Sequence, residues 1–325
     1  MIAVVAGGVG AARLLVGLVQ VVSPADVTAI VNTGDDTQLH GLHISPDLDT
    51  VTYTLAGAID PVQGWGLAGE TWNAMDALSR YGLVRPEGSN AATTWFGLGD
   101  RDLATHLYRT HRLSEGATLT DVTAEIARAW DLSVRLLPMT DDPVATRVTV
   151  RGADVDSPTD VEMGFQDYFV GHRHAVAVRA VRFAGIDAAR PGPDVIATLE
   201  RADVIVIAPS NPIVSVGPVR AVAGVDDVLR RRRHRVVAVS PIVAGAALKG
   251  PADRMLVELG HEASVVGVAR LYRDVAATLV IDTADAALAG AVVDAGMRCT
   301  VTDTVMRDRE VAAALAARVL EVVPG

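Results

Sequence analysis

The first 21 residues predict a buried strand, a glycine-rich turn and a helix in immediate succession. An apolar, β-branched run over residues 1–5 is followed by a turn and by an apolar run over residues 11–21, and the turn contains Gly7, Gly8 and Gly10. This succession is typical of the opening unit of a doubly wound α/β sheet, in which glycines let a phosphate approach the amides at a helix N-terminus. We therefore expect a phosphate-binding loop here, and the alternative is a tight turn without a ligand.

Arg13 and the end of the second predicted strand argue against a nicotinamide cofactor. The dinucleotide-binding fingerprint needs a small residue where Arg13 stands, and a guanidinium there favours a phosphate ligand instead. The second strand, residues 27–32, is followed by Asp35 and Asp36 and not by the single acidic residue that would bind a ribose. Adjacent carboxylates at a strand end suit a sugar hydroxyl or a divalent ion, with a helix-capping turn as the alternative.

The order of the remaining segments predicts one α/β domain with an insertion. Strand-length apolar runs alternate with helical periodicity on both sides of three strand-like stretches that have no helix between them, at residues 146–150, 162–170 and 175–183. We expect a Rossmann-like, doubly wound, mostly parallel sheet formed by residues 1–142 and 186–325. Residues 143–185 are expected to form a small inserted antiparallel β-rich subdomain, and residues 264–267 a further short strand.

Composition excludes several classes of protein. The net charge of −10 over 325 residues argues against a nucleic-acid partner, and the apolar runs are too short for a transmembrane helix. No basic leader precedes the first strand, so we expect no secretory signal. The single cysteine, Cys299, cannot form an internal disulfide, which favours the cytoplasm.

Several carboxylates follow the second strand. Asp47 and Asp49 lie close together, Asp60 follows them, and two or three carboxylates near a phosphate loop predict a Mg²⁺ site for phosphoryl transfer. The alternatives are a helix cap at Asp49 and a simple turn at Asp60. His40 and His43 lack the spacing of zinc ligands, so we interpret them as structural or substrate-contacting residues.

Other polar residues are expected at the ends of strands or at the start of a helix. Asp100 and Arg101 begin a predicted helix after a glycine, which suits an anion, although a solvated capping cluster is the alternative. Ser210 and Asn211 follow an apolar strand in a proline-fixed turn. Lys249, the only lysine of the chain, follows the next strand and is either a phosphate contact or an ordinary exposed lysine.

Eight segments, taken together and in this order, resemble the CofD family. They are Gly7-Gly8-Val9-Gly10-Ala11-Ala12-Arg13, Asn32-Thr33-Gly34-Asp35-Asp36, Gly41-Leu42-His43-Ile44-Ser45-Pro46-Asp47-Leu48-Asp49-Thr50, Gly64-Trp65-Gly66, Leu98-Gly99-Asp100-Arg101-Asp102, Phe165-Gln166-Asp167-Tyr168, Pro209-Ser210-Asn211-Pro212 and Ser240-Pro241-Ile242-Val243. The resemblance extends from residue 1 to about residue 320 and is closest to the actinobacterial FbiA branch of that family.

The resemblance implies a Rossmann-like fold with a small second subdomain, a homodimer and a magnesium-dependent transferase. The implied reaction moves an enolpyruvyl-phosphate or phospholactyl group from a guanosine diphosphate conjugate to the ribityl hydroxyl of 7,8-didemethyl-8-hydroxy-5-deazariboflavin (Fo). It releases GMP and belongs to coenzyme F-420 biosynthesis. The sequence leaves open which of the two three-carbon acids is transferred.

The resemblance and the local motifs together give the expected site residues. Asp49 matches the family residue at the Fo hydroxyl and the metal, and Asp60 is expected as the second metal carboxylate. The residues expected at the phosphates and the nucleotide are Gly7, Gly8, Gly10, Arg13, Ser210, Asn211 and Lys249. The residues expected at Fo are Asp49, Asp35, Asp36, His43, Asp100 and Arg101.

Two other functions remain open from the sequence. A regulatory protein of the YvcK-like group would share the glycine-rich first loop and bind a sugar nucleotide without turnover, but the segments Asp47-Leu48-Asp49 and Phe165-Gln166-Asp167-Tyr168 favour the transferase. A nicotinamide dehydrogenase is disfavoured by Arg13.

Overall fold

The computed structural model describes residues 1–155 and 157–323. In this part of the chain a seven-stranded parallel sheet is accompanied by three small antiparallel sheets. The strands in chain order are β1 (Ile2–Ala6), β2 (Val27–Val31), β3 (Thr37–Leu39), β4 (Leu42–Ile44), β5 (Arg135–Pro138), β6 (Ala145–Val150), β7 (Val161–Gly164), β8 (Val178–Ala184), β9 (Val204–Ile207), β10 (Val236–Val239), β11 (Ile242–Val243), β12 (Ala246–Ala247), β13 (Thr278–Asp282) and β14 (Arg298–Thr302). The predicted α/β class with a mostly parallel sheet is confirmed.

Helices connect the strands of the large sheet. In chain order they are α1 (Gly8–Val21), α2 (Pro46–Leu55), α3 (Asn73–Ser79), α4 (Asp102–Ser114), α5 (Leu119–Ala129), α6 (Val195–Arg201), α7 (Val216–Ala221), α8 (Val225–Arg231), α9 (Ala252–Glu258), α10 (Val265–Tyr272), α11 (Ala289–Asp294) and α12 (Arg309–Glu321). Among the described residues, no helix combines the length and the apolar character that a membrane crossing needs.

The central strand shows why the sheet lies in the interior. All five residues of β1 are buried. Ala3 and Val5 belong to one hydrophobic cluster, and Ile2, Val4 and Ala6 belong to another. Because successive side chains of a strand point to opposite faces, the two clusters cover the two faces of the sheet, as expected for parallel strands.

The strand order places a topological switch point beside β1. The order in the sheet is β14-β13-β10-β9-β1-β2-β5, so the chain builds outward from β1 through β2 to β5 and returns to the other side of β1 as β9. Ligands of open α/β sheets bind outside the carboxyl ends of the strands at such a point. The loops that follow β1 and β9 therefore lie where this fold favours a site.

The inserted antiparallel sheet is present, with a shorter middle strand than predicted. β6 pairs with β7 on one side and with β8 on the other. The prediction of one strand over residues 162–170 was wrong, because β7 ends at Gly164 and residues 167–171 form a helical turn. Phe165, Tyr168 and Phe169 have the i, i+3, i+4 spacing of a helix face, which explains the difference. The division of the chain into two domains stays a prediction.

The short strand predicted at residues 264–267 was also wrong. Ser264 caps α10, since its Oγ accepts hydrogen bonds from the backbone N–H groups of Val266 and Gly267, each at 3.1 Å. A short β-branched run fits a buried strand and a buried helix equally well, and only its surroundings decide. Two strands that the sequence analysis did not predict, β5 and β14, are the edges of the large sheet.

Candidate active site

A cavity of about 570 Å³ opens outside the carboxyl ends of β1 and β9, at the switch point. This volume lies in the range of small-molecule sites. The predicted site residues on its wall are Gly7, Gly8, Gly10, Arg13, Asp35, Asp49, Ser210, Asn211 and Lys249. The predicted residues that are not part of the wall are Asp36, His43, Asp60, Asp100 and Arg101. The fold thus brings the predicted phosphate-binding residues together and separates most of the predicted Fo contacts from them.

The loops after β1 and β9 both line the cavity, and they are joined by a hydrogen bond and a close backbone contact. The Ser210 hydroxyl donates a hydrogen bond to the carbonyl oxygen of Gly7 at 2.6 Å. A Cβ atom on Gly10 would lie only 2.1 Å from the carbonyl oxygen of Pro209, so no other residue fits there without a backbone shift. Gly8 has a φ of +67° and begins α1, which has no side-chain cap. The N-cap residue, Gly7, offers no side-chain acceptor, and the Gly8 N–H donates to the Asp47 carboxylate, a contact that works to lower the pKa of Asp47. The other N–H groups of the first turn have no capping side chain, as an anion site requires.

Replacing Gly10 with Ala should displace the loop and destabilise the protein. Because the new methyl group meets backbone and not a flexible side chain, we expect a loss of about 1–3 kcal/mol in the free energy of unfolding, measured by urea denaturation. Gly290→Ala is the matched control, since a Cβ at Gly290 meets nothing within 4 Å. That control should be neutral or slightly stabilising. Equal stability of wild type and Gly10→Ala would show that the two loops are not in close contact.

Two cations line the same cavity. Neither Arg13 nor Lys249 forms an ion pair with any carboxylate in the described part of the chain. Arg13 is exposed, and its Nη1 is 3.5 Å from the carbonyl oxygen of Met306. The Lys249 ammonium donates to the carbonyl oxygen of Gln63 at 3.2 Å, which connects two loops of the wall. Both charges remain available to an anionic ligand.

Asp49 lies in the first turn of α2 and forms a buried ion pair with Arg109 of α4. The Arg109 guanidinium donates from Nη1 to Asp49 Oδ2 at 3.1 Å and from Nη2 to Asp49 Oδ1. Asp49 is 5% exposed and Arg109 is 2% exposed. Burial alone would lower the pKa of Arg109, but the charge and hydrogen bonds of Asp49, together with the charge of Asp36, outweigh burial and raise this pKa. The Asp49 carboxylate is thus held in place by a cation, and it is not the N-cap of its helix.

Asp102 and His106 extend this ion pair into a network. His106 Nδ1 lies 3.7 Å from Asp49 Oδ2, and His106 Nε2 lies 3.3 Å from Asp102 Oδ2. The Tyr53 hydroxyl donates to Asp102 Oδ1 at 2.5 Å. Burial raises the pKa of Asp102, but the hydrogen bond and charge of His106, the Tyr53 hydrogen bond and the charge of Arg109 together outweigh burial and hold that pKa below its usual range. Ligand atoms of Asp49, Asp102 and His106 all lie within 4.8 Å of one another, close enough to hold an ion.

The sequence analysis did not include Asp102, His106 or Arg109 among the expected site residues. Their spacing of i, i+4 and i+7 puts them on one face of α4. His106 and Arg109 are almost completely buried, although an arginine is rarely buried unless it is paired. A search for polar residues with the period of a helix would have found this face.

Two other carboxylates, those of Asp35 and Asp47, lie on the cavity wall beside the glycine-rich loop. Asn32 donates from Nδ2 to Asp47 Oδ2 at 2.9 Å, and a Cβ on Gly8 would lie 3.2 Å from Asp47 Oδ1. Burial raises the pKa of Asp47 to about 7, with the charge of Asp36 adding to it. Burial and then the charge of Asp47 raise the pKa of Asp35 well above its ordinary value. Within the described residues no arginine, lysine or histidine pairs with either carboxylate, and Asp35 Oδ1 is buried without a hydrogen-bond partner.

Asp60 and Asp100 use their carboxylates to hold nearby backbone. Asp60 Oδ1 accepts from the N–H groups of Gln63 and Val62, and these two hydrogen bonds lower its pKa. Asp100 accepts from the Thr71 hydroxyl at 2.5 Å and from the Ala74 N–H at 3.0 Å. The Thr71 contact makes the largest contribution in lowering the pKa of Asp100 to about 2. Both aspartates therefore have a local structural role, whatever else they do.

Asp36, His43 and Arg101 also have partners away from the cavity. The Ser45 hydroxyl donates to Asp36 Oδ2 at 2.7 Å, and His43 Nε2 lies 3.0 Å from the same oxygen. Arg101 donates from Nη1 to the carbonyl oxygen of Ala68. The predicted roles of these residues in binding Fo stay predictions.

Comparison with known proteins relates the chain to one family over nearly its whole length. The family described as 2-phospho-L-lactate transferase CofD matches residues 2–321. A phosphoenolpyruvate transferase from Streptomyces griseus is 43% identical over 321 residues, covering 98% of this chain and 97% of the relative. Proteins of the same name from Kitasatospora aureofaciens and Mycolicibacterium smegmatis are 43% and 41% identical, covering 97% and 86% of this chain and 95% and 86% of the relatives.

A solved structure supports the fold independently. A crystal structure of a UPF0052 family protein from Bacillus halodurans superposes with a TM-score of 0.60, covering 98% of each chain at 18% identity. At that identity the likeness concerns the fold alone.

Proposed function

The chain belongs to the CofD family, and we propose that it is a transferase of coenzyme F-420 biosynthesis. In the proposed reaction an enolpyruvyl-phosphate group moves from a guanosine diphosphate conjugate to the ribityl hydroxyl of Fo, and GMP is released. The name phosphoenolpyruvate transferase, carried by the relatives, favours enolpyruvate over lactate as the transferred acid. The observation that carries the proposal is the cavity at the switch point, where an anion-binding loop and a fixed carboxylate share one wall. The alternative of a regulatory sugar-nucleotide-binding protein is not favoured by these relatives.

The phosphate end of the cavity supplies the contacts that a diphosphate needs. The N–H groups at the start of α1, the Arg13 guanidinium and the Lys249 ammonium are donors or positive charges on the same wall. Ser210 and Asn211 hold the adjacent turn, since Asn211 Oδ1 accepts from the Ile213 N–H at 2.9 Å. We place the diphosphate of the guanosine conjugate along this wall.

Asp49 is suited to orient the acceptor hydroxyl. A carboxylate offers about four lone-pair positions, and Arg109 occupies two of them, so Asp49 can still accept a hydrogen bond from a ligand. The hydroxyl oxygen then attacks the phosphorus that bears the three-carbon acid. A P–O bond forms, the P–O bond to GMP breaks, and the hydroxyl proton is released to a carboxylate or to water. Such a transfer depends on positioning and charge neutralisation more than on covalent catalysis.

Magnesium is implied by the family, and the carboxylates differ in how well they fit it. The predicted pair of ligands was Asp49 and Asp60. Arg109 already neutralises Asp49, and Asp60 Oδ1 accepts hydrogen bonds from two backbone N–H groups of its own turn. The group formed by Asp49, Asp102 and His106 includes the same arginine-paired carboxylate. Asp35 and Asp47 have no cation among the described residues, and Asp35 Oδ1 has no partner, so they provide the free oxygens that Mg²⁺ prefers. We propose that Asp35 and Asp47 hold the ion, which would neutralise the diphosphate charge.

The remaining parts of the proposal follow from the family resemblance and from the composition of the chain. We propose that the protein acts in the cytoplasm as a homodimer on small-molecule substrates, with no nucleic-acid or membrane partner. Asp35 is the one predicted Fo contact, besides Asp49, that lies on the cavity wall. We propose that Asp36, His43, Asp100 and Arg101 support the site through the contacts described above.

Mass spectrometry of the reaction product tests the proposal. Purified protein, Fo and MgCl₂ should convert the enolpyruvyl guanosine conjugate to a phosphodiester of Fo, with one GMP released per turnover. The lactyl conjugate is the matched comparison and should react more slowly. Turnover should stop with excess EDTA and return with Mg²⁺. Absence of any Fo phosphodiester from both conjugates, with a folded protein that binds GDP, would reject the proposed reaction.

A further inference from the structure

The aromatic side chains of this chain are concentrated on one cavity. Only 4% of the residues are aromatic, yet three of the four phenylalanines line the cavity wall, together with one of the four tryptophans and one of the five tyrosines. These residues are Tyr53, Trp65, Phe96, Phe165 and Phe169, and Tyr53 is fully buried. Trp65 is 47% exposed and Leu248, on the same wall, is 58% exposed. Exposed apolar surface of this kind inside a concave site is typical of a ligand-binding surface.

Neighbouring rings fix the positions of Trp65 and Phe96 and leave ring surface uncovered. Trp65 meets Trp72 edge to face, with centroids 6.5 Å apart and an angle of 65°. Phe96 meets Trp95 in the same way at 5.8 Å and 85°. Such a contact covers at most one face of each ring. Trp72 also packs against Gly97, the residue that follows Phe96, since a Cβ there would be 3.1 Å from the indole.

Phe169 belongs to a different kind of arrangement. It is stacked on Phe165, at 5.5 Å and 17°, and on His174, at 5.3 Å and 24°. Two stacked neighbours hold this ring in place, so Phe169 forms part of a fixed wall. The surfaces that remain for a ligand ring are those of Trp65 and Phe96.

We propose that Trp65 and Phe96 form a stacking platform for the fused ring system of the deazaflavin acceptor. This inference rests on the proposed function, and it assigns the aromatic part of the cavity wall to Fo. The guanosine conjugate carries a diphosphate, which the glycine-rich loop, Arg13 and Lys249 attract. Fo carries no phosphate, so its affinity has to come largely from burial and stacking of its three fused rings. Guanine is the other planar ring of the reaction, and its placement on the platform is the competing outcome.

Separate measurement of Fo and GDP affinity distinguishes these assignments. Trp65→Ala and Phe96→Leu should each raise the Kd for Fo about 5- to 100-fold, the range expected for loss of one ring stacked on an aromatic ligand. The Kd for GDP should stay within about twofold of wild type. Fo binding is followed by the fluorescence of the deazaflavin, and GDP binding by isothermal titration calorimetry.

Two further variants control for structural damage. Phe183→Leu removes the fourth phenylalanine, which is not part of the cavity wall and packs at Gly217, and it should change neither Kd. Trp65→Phe keeps a ring at the platform and should restore most of the Fo affinity. A Kd for Fo within twofold of wild type in both platform variants would overturn the inference, as would a rise in the Kd for GDP alone, which would place guanine there. Failure of the proposed function itself is distinct, since wild type would then form no Fo phosphodiester.

Discussion

Asp49→Asn should reduce turnover by about 10²–10⁴-fold and lower the free energy of unfolding by about 3–5 kcal/mol. The variant keeps the size of the side chain, but Arg109, which is 2% exposed, then lies buried without the carboxylate that pairs with it. The acceptor hydroxyl simultaneously loses the carboxylate that orients it. Single-turnover kinetics and urea denaturation measure the two effects separately.

A double variant separates the catalytic loss from the structural one. In Asp49→Asn combined with Arg109→Met no charge is left unpaired, so much of the stability should return while turnover stays low. Glu162→Gln is the control, because it breaks another bidentate arginine–carboxylate pair, with Arg182, that lies at the surface. We expect that control to change stability far less. Wild-type turnover in Asp49→Asn would exclude a role for the charge in the reaction.

Asp47→Asn should make the metal-free protein more stable at pH 8 and abolish its stabilisation by Mg²⁺. Burial raises the pKa of Asp47 from 3.8 to about 7, so the folded state binds this proton more tightly than the unfolded state. Ionisation of Asp47 therefore reduces wild-type stability as the pH rises from about 4 to about 7. For each pH unit of that interval the free energy of unfolding of wild type falls by about 1.4 kcal/mol. The free energy of unfolding of Asp47→Asn should therefore exceed that of wild type by about 4 kcal/mol at pH 8 and equal it near pH 4.

Melting temperatures with and without MgCl₂ test the metal part of this expectation. A cation that binds only the folded state raises the melting temperature by mass action. Wild type and Asp60→Asn should both be stabilised by Mg²⁺, because an asparagine Oδ1 can keep the turn that Asp60 holds. Asp47→Asn should not respond. An Asp60→Asn protein that fails to respond, beside a responsive Asp47→Asn, would restore the original assignment of Asp60 as a ligand.

Much of the fold and part of the site could be predicted from local patterns. The apolar run of β1, the glycines that follow it and the helix after them are neighbours in the chain, so their spacing alone predicts a parallel sheet and an anion-binding loop. The same holds for Ser210, which follows the apolar strand β9. The short apolar runs at residues 162–170 and 264–267 were misassigned because length and hydrophobicity do not separate a short strand from a buried helical turn.

Local patterns were enough to predict most of the parallel sheet, the position of the phosphate loop and the presence of several aspartates near it. The role of each aspartate depends on the folded chain, because the charge state and availability of a carboxylate depend on which groups surround it. Asp49 is neutralised by Arg109, which is 60 residues away in the chain. Asp47 is only two residues from Asp49, yet it lies beside Asn32 and the glycine-rich loop with no cation partner among the described residues. Residue spacing cannot predict which of the two aspartates has a cationic partner, because Arg109 reaches Asp49 only when α4 lies against α2 in the folded chain.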